Sequence, residues 1–268
     1  RLNPQDIYYR LATQVNMAQM NILLNKKMPQ AEMMVAYAKI FEKAKKNVDA
    51  AVATNKQNYL NYVTRGSLYE NIMSLGVSGA YELAKENYTK ALTYNPHGPD
   101  MYLNLARLEI ANKDFTAAEK YLDQSLAEKK NYIGAIFLQS QLYAQRGFLT
   151  SAITRAEYAS QLAPSDVLIL FQLGYLQYRN ADYQKAMTTL KSAVALVPGF
   201  ANAKYFLGLS YDKLGLTDSA IKEFTEIQKN NPDTAELKQI LSNLRAGKDA
   251  LAGAEPVEKK VTPPVKQN

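Results

Sequence analysis

The chain has 268 residues, 47% of them apolar, and carries 32 Lys and Arg against 25 Asp and Glu, a formal charge of +7. It has no Cys, no Trp and one His. That excludes disulfide frameworks, thiolate zinc sites, iron–sulfur clusters and cysteine nucleophiles, and leaves any His-based dyad, triad or metal site to a single imidazole. The apolar fraction is that of a folded chain, and 19 Tyr stand out against it.

Arg1 stands where a start Met would, so the N-terminus reads as that of a fragment or a processed product. Residues 1–30 carry polar side chains every few positions and lack the apolar region of a secretory signal. No run approaches the roughly 18 apolar residues of a membrane span. Two long helices are expected first. Residues 5–25 place Leu11, Val15 and Ile22 at helical spacing. Residues 29–55 do the same with Met33, Ala36, Tyr37, Ile40, Phe41 and Ala44, and Pro29 suits the first turn. They are expected to form an N-terminal hairpin over 1–58, packed on the helices after it.

From 59 to 234 the sequence repeats itself. Leu173-Gly174 recurs as Leu207-Gly208, 34 residues on. At the same interval Ala118, Ala152, Ala186 and Ala220 succeed one another, as do Pro164, Pro198 and Pro232. Five units result, 59–98, 99–132, 133–166, 167–200 and 201–234, the first lengthened by six residues in a Gly-rich turn and the second with Lys130 in place of the proline. Each reads as two amphipathic helices with small residues where helices must approach, turn residues between them and proline after the second helix. Asp166 and Ser165 can cap the helix beginning at Val167. Residues 235–246 read as a capping helix with an apolar stripe of Leu237, Ile240, Leu241 and Leu244. The last 22 residues hold three prolines, mixed charge and no aromatic, and are expected to be a disordered tail.

A 34-residue unit with Leu-Gly at positions 7–8, Tyr at 11, Ala at 20, an aromatic at 24 and Pro at 32 resembles the tetratricopeptide repeat (TPR) family. The unit from Ala201 carries the pattern as Leu207, Gly208, Tyr211, Ala220, Phe224 and Pro232, and departs from it at Lys204 and Ile227. The resemblance implies an all-α fold, a right-handed α-α superhelix (TPR solenoid) of about five repeats. It implies a non-enzymatic scaffold that binds a peptide or partner protein in a concave groove, with no catalytic residue, cofactor or metal.

In that family positions 2, 5, 9, 12 and 13 face the groove. Here they include Ser67, Glu70, Asn71 and Asp100, and a partner-binding set of Arg107, Phe137, Gln141, Phe171, Tyr175, Tyr178, Arg179, Tyr205 and Lys213. Aromatic rings edged by Arg suit a peptide groove, since they give large contact area with few rotors and donors for carbonyls or carboxylates. Neither the Lys/Asn/Arg clamp of chaperone-binding members nor an Asn ladder at position 6 is present, where Thr64, Asn104, Leu138, Gln172 and Phe206 stand. Tyr62, Tyr69, Tyr88, Tyr143 and Tyr211 take packing positions of the pattern.

Other candidates are weaker. His97 lies in the turn NPHGPD and reads as a solvated turn residue. The glycines near residue 76 lack the Lys and the preceding strand of a phosphate loop. The charge is uneven: +5 over 1–58, zero over 59–234 and +2 beyond. Lys39, Lys43, Lys45, Lys46 and Lys56 could meet anionic lipid or nucleic acid, but without interleaved aromatics they read as a solvated helix face, and no nucleic acid is expected. The lengthened first unit also resembles the C-terminal TPR region of bacterial O-antigen ligase/polymerase-like membrane proteins. That resemblance implies the alternative of a docking or assembly extension of a membrane glycosyltransferase, with a membrane tether upstream of residue 1.

Overall fold

The computed structural model describes residues 4–232 and 234–253. Among them the chain forms thirteen α-helices and no strand. It divides into two compact units, Arg1–Ala135 and Ile136–Asn268.

The first unit holds α1 (Pro4–Leu24), α2 (Gln30–Thr54), α3 (Tyr59–Met73), α4 (Ala80–Tyr94), α5 (Pro99–Ala111) and α6 (Phe115–Glu128). Successive helices pair as α1 with α2, α3 with α4 and α5 with α6. The boundary falls within α7 (Ile133–Gln145), and the second unit continues with α8 (Leu149–Leu162), α9 (Val167–Arg179), α10 (Tyr183–Leu196), α11 (Ala201–Lys213), α12 (Thr217–Asn230) and α13 (Ala235–Arg245). The helices α3, α5, α7, α9 and α11 start at the residues where the sequence units start.

Two devices repeat along the chain. The first is the close helix contact. A Cβ on Gly66 would fall 2.7 Å from the Tyr88 ring, one on Gly174 2.6 Å from Leu190, and one on Gly208 2.8 Å from Phe224. Each glycine therefore lets the large residue of the second helix seat against the backbone of the first. The unit that carries buried Ser140 at this position has Ala156, not a ring or Leu, at the facing one, and the Ser140 hydroxyl donates to the Ala152 carbonyl at 2.8 Å.

The second device is the turn inside each unit. Lys113, Gly147, Ala181 and Gly215, spaced by 34, all adopt positive φ, at 64°, 84°, 61° and 72°. The next amide reaches back over the turn: Asp114 to the Glu109 carbonyl, Phe148 to Tyr143, Asp182 to Gln177 and Leu216 to Tyr211, at 2.8–2.9 Å. This is the Schellman closure, which satisfies carbonyls that the helix end leaves open.

Helices α1 and α2 pack against each other, and α1 turns inward the face opposite to its Leu11, Val15 and Ile22 stripe. Thr13, Asn16, Met20 and Leu23 are buried, while Leu11, Val15 and Ile22 point outward. A polar network decides the orientation. Buried Asp6 accepts from Asn58 Nδ2 at 2.9 Å and lies 4.0 Å from the Arg10 guanidinium, which donates to Asn61 at 3.0 Å. Asn61 in turn donates to the Ala51 and Asn55 carbonyls, both at 2.9 Å. A buried carboxylate held this way cannot be turned out without stranding its donors.

The tail also differs from expectation. Gly247, at φ 68°, ends α13 in the same left-handed turn, and the Lys248 amide reaches the Asn243 carbonyl at 2.9 Å. Ala250 is fully buried; its amide donates to Asp212 at 3.1 Å and its carbonyl accepts from Asn243 at 3.0 Å. Residues 247–253 thus belong to the folded second unit, although they lack aromatic residues. The rest of the expected tail, 254–268, lies outside the described residues. On α13, Leu237, Ile240, Leu241 and Leu244 are buried as the stripe predicts.

Candidate functional site

Each unit offers its own set of candidate residues on the first helices of its repeats. In the first unit the Tyr88 hydroxyl donates to the Glu70 carboxylate and lies 3.0 Å from the Ser67 hydroxyl. Burial pushes the Glu70 carboxyl up, against the lowering effects of the Tyr88 hydrogen bond and the Arg107 charge. Burial raises the Tyr88 phenol too, reinforced by Glu70, so it stays a donor. Arg107 is exposed on α5, and its charge acts on Glu70, Tyr88 and Tyr132. The sequence places Glu70 among groove positions without distinguishing it; an acidic position 12 followed by a basic position 9 one unit later is the signal that marks it. Asn71 is absorbed elsewhere, accepting from Tyr37 and donating to Asn21, both at 3.0 Å.

In the second unit the aromatic set divides. Phe171 and Tyr175 stack at 6.3 Å with an interplanar angle of 20°, and both are half-buried against the core. The Arg179 guanidinium lies 5.8 Å from the Tyr175 ring centre, a cation–π contact that holds a charge beside the pair. Phe137 is half-buried and Gln141 exposed on α7. Tyr178 and Tyr205, by contrast, are core residues, 8% and 1% exposed. Tyr178 packs on Tyr183 at 5.5 Å and Phe206 at 5.6 Å. Tyr205 meets the Phe224 ring edge-on at 5.7 Å and donates to Glu236 at 2.6 Å. Burial pushes both phenols up. Helix α13 explains Tyr205, because Glu236 in its first turn reaches the Tyr205 hydroxyl. Lys213 pairs with Asp249 of the segment after α13.

The hub of this cluster was not singled out by sequence reasoning. Phe206 is buried and meets Phe171 at 6.2 Å, Tyr175 at 4.8 Å, Tyr178 at 5.6 Å and Tyr205 at 5.4 Å. It packs against both half-buried rings, Phe171 and Tyr175.

The other candidates carry no chemistry of their own. His97 is exposed, with its ring 3.1 Å from Glu128. Among the described residues no group of three His, Asp or Glu side chains converges to hold a metal. Lys39, Lys43 and Lys46 are exposed on α2, interleaved with exposed Glu42 and Asp49, so that face is of mixed sign. Among the described residues no helix is long and apolar enough to cross a membrane.

The tetratricopeptide repeat is matched over residues 78–141 and 178–244, and in a second form over 137–201. The chain belongs to the tetratricopeptide repeat family. The all-α TPR fold is that of a protein-interaction scaffold, and the family is generally without enzymatic activity. Among solved structures the chain is similar to PilW, described as a widely conserved type IV pilus biogenesis factor, with a TM-score of 0.65, 18% identity and coverage of 90% of this chain and 100% of that one. It is similar to Pseudomonas aeruginosa PilF with a TM-score of 0.63, 14% identity and coverage of 90% and 99%. At these identities the likeness is one of fold. Among curated proteins, the BBSome complex member BBS4 of Bos taurus is 28% identical over 79% of this chain and 40% of its own length. A TPR repeat-containing protein of Methanocaldococcus jannaschii is 24% identical over 81% and 37%. The chain thus spans about two-fifths of the length of these relatives.

Proposed function

We propose that the TPR repeats of the second unit hold an extended segment of a partner protein, gripped by Phe171, Tyr175 and Arg179. The observation that carries this reading is the half-buried Phe171–Tyr175 stack, not sealed as Tyr205 is, with Arg179 against it. Its rings are set by a buried neighbour, so little side-chain entropy is lost when a ligand covers them. Stacked rings take apolar or proline-bearing side chains, and the guanidinium takes a carbonyl or carboxylate. Among proteins of similar fold, YrrB is described as a TPR protein with an unusual peptide-binding site; its TM-score is 0.53 at 17% identity over 70% of this chain and 93% of that one.

The test uses peptides selected against the chain from a random display library. Tyr175→Ala with Arg179→Ala is expected to weaken the selected peptides about tenfold or more, equivalent to about 1.4 kcal/mol, with the melting temperature retained. Binding undiminished by that pair refutes the assignment.

A further inference from the structure

The outward face of α1 is apolar where a solvated helix would be charged. Tyr8, Leu11, Val15 and Ile22 are 68%, 56%, 57% and 60% exposed. With exposed Ala18 they step along the helix by three, four, three and four residues. That alternation is the seam of two helices wound on each other. The two charged residues of α1, Asp6 and Arg10, are turned inward, with side chains 0% and 12% exposed. The stripe is therefore flanked by amides, Gln14, Gln19 and Asn21. The neighbouring helix α2 shows the ordinary condition, with Glu32, Lys39, Glu42, Lys43 and Lys46 exposed.

We propose that this face joins two copies of the chain, α1 against α1 of a second copy in antiparallel orientation. From Leu11 to Ile22 the steps are four, three and four, the same read in either direction, so over that stretch an identical helix is its complement. Antiparallel pairing sets Leu11 across from Ile22 of the second copy and Val15 across from Ala18, with the small residues at the centre where the axes come closest. Charge selects the same occupant. Identical charged flanks would repel each other across such a seam, and α1 has none to repel. A lipid surface would call for Lys or Arg along the flanks of the stripe; within α1 none stands there, and exposed Lys26 and Lys27 come only after the helix ends. Four large side chains and their amide flanks, over a helix of about 30 Å, bury on the order of 1,000 Å² between two copies. That is the lower bound for a specific interface, so the dimer is expected to be reversible.

Sedimentation of the whole chain from about 1 to about 100 µM tests this, a range centred on the affinity of a minimal interface. The expected mass approaches twice the 30.0 kDa of the chain at the upper end. Leu11→Lys with Ile22→Lys, both at exposed positions, is expected to weaken association at least tenfold and leave helix content and melting temperature unchanged. Mixing that variant with Leu11→Glu/Ile22→Glu is expected to restore the dimer, because opposite charges then face each other. A wild-type chain that stays monomeric throughout overturns the proposal. So does a dimer that survives the double Lys change, which would place the contact on another surface. Failure of the mixture to associate overturns the pairing.

Discussion

Gly174→Ala sets two opposing effects against each other at one position. In an isolated helix the change is favourable by about 1 kcal/mol, since Ala is the better helix former. In the folded second unit the new Cβ would lie 2.6 Å from Leu190 Cγ and 2.8 Å from its Cδ2. Leu190 is fully buried and cannot swing aside into solvent. Overpacking of a closed core costs about 1–3 kcal/mol, and contact with Cγ as well as a terminal methyl points to the upper half of that range. The net expectation is a loss of about 1–2 kcal/mol, from the difference of those two terms. Urea unfolding monitored by circular dichroism reads it as a lower midpoint for the second unit. Leu190→Ala alone is expected to cost about 2–5 kcal/mol, and in the Gly174→Ala background markedly less, because the added methyl refills part of the cavity. The unit with Ser140 and Ala156 already embodies that pairing. A neutral or stabilising Gly174→Ala, or strict additivity of the two changes, refutes the reasoning.

Three further outcomes are expected. Ala181→Gly should raise the stability of the second unit by up to about 1 kcal/mol, because a left-handed backbone costs L-residues about 1–2 kcal/mol and Gly returns part of that as unfolded-state entropy; thermal melting checks it, with Gly147→Ala expected to act in the opposite direction. Glu70→Gln should raise the midpoint of the first unit at pH 7. The Glu70 pKa is raised above its ordinary 4.5, so the folded state favours the protonated form. The stability linked to that proton is fully present below about pH 4.5 and is lost as pH rises through the folded pKa. The Gln variant should therefore lose its advantage at pH 4, and an advantage independent of pH would contradict the burial of the charge. Ala250→Glu should lower the melting temperature of the second unit by several degrees, since it forces a charge into a fully buried position; an unchanged melting curve would mean that residues 247–253 do not pack.

Much of the molecule was legible because its rules are local and recur. The left-handed turn and its Schellman closure need only a few consecutive residues, and they recur at 113, 147, 181 and 215 whether the residue is Gly, Lys or Ala. Position 8 and position 24 of a unit meet across one hairpin, so Gly with Leu or Phe, or Ser with Ala, can be read along a single stretch of chain. The candidate site was only partly legible. Family positions place Tyr175 and Tyr205 on comparable faces, yet Tyr175 is only half-buried while Tyr205 is sealed by Phe224 and Glu236. What covers a residue depends on the next helix, and for Tyr205 that helix is α13, which is not a full repeat.

The amino-acid sequence by itself determined the repeat period, the helix pairs, the turns between them and the apolar stripe of α13. These arise from spacing, small residues and proline, whose effects act within a turn or a hairpin. The tertiary structure decided three things that spacing does not contain. It chose which side of α1 faces inward, because there Asp6 Oδ2 accepts from Asn58 and Arg10 donates to Asn61. It drew residues 247–253 into the second unit through Asn243 and Asp212. It divided the aromatic cluster into core and surface. In each case the deciding energy is the satisfaction or exclusion of polar groups between segments distant in sequence, and no local pattern records it.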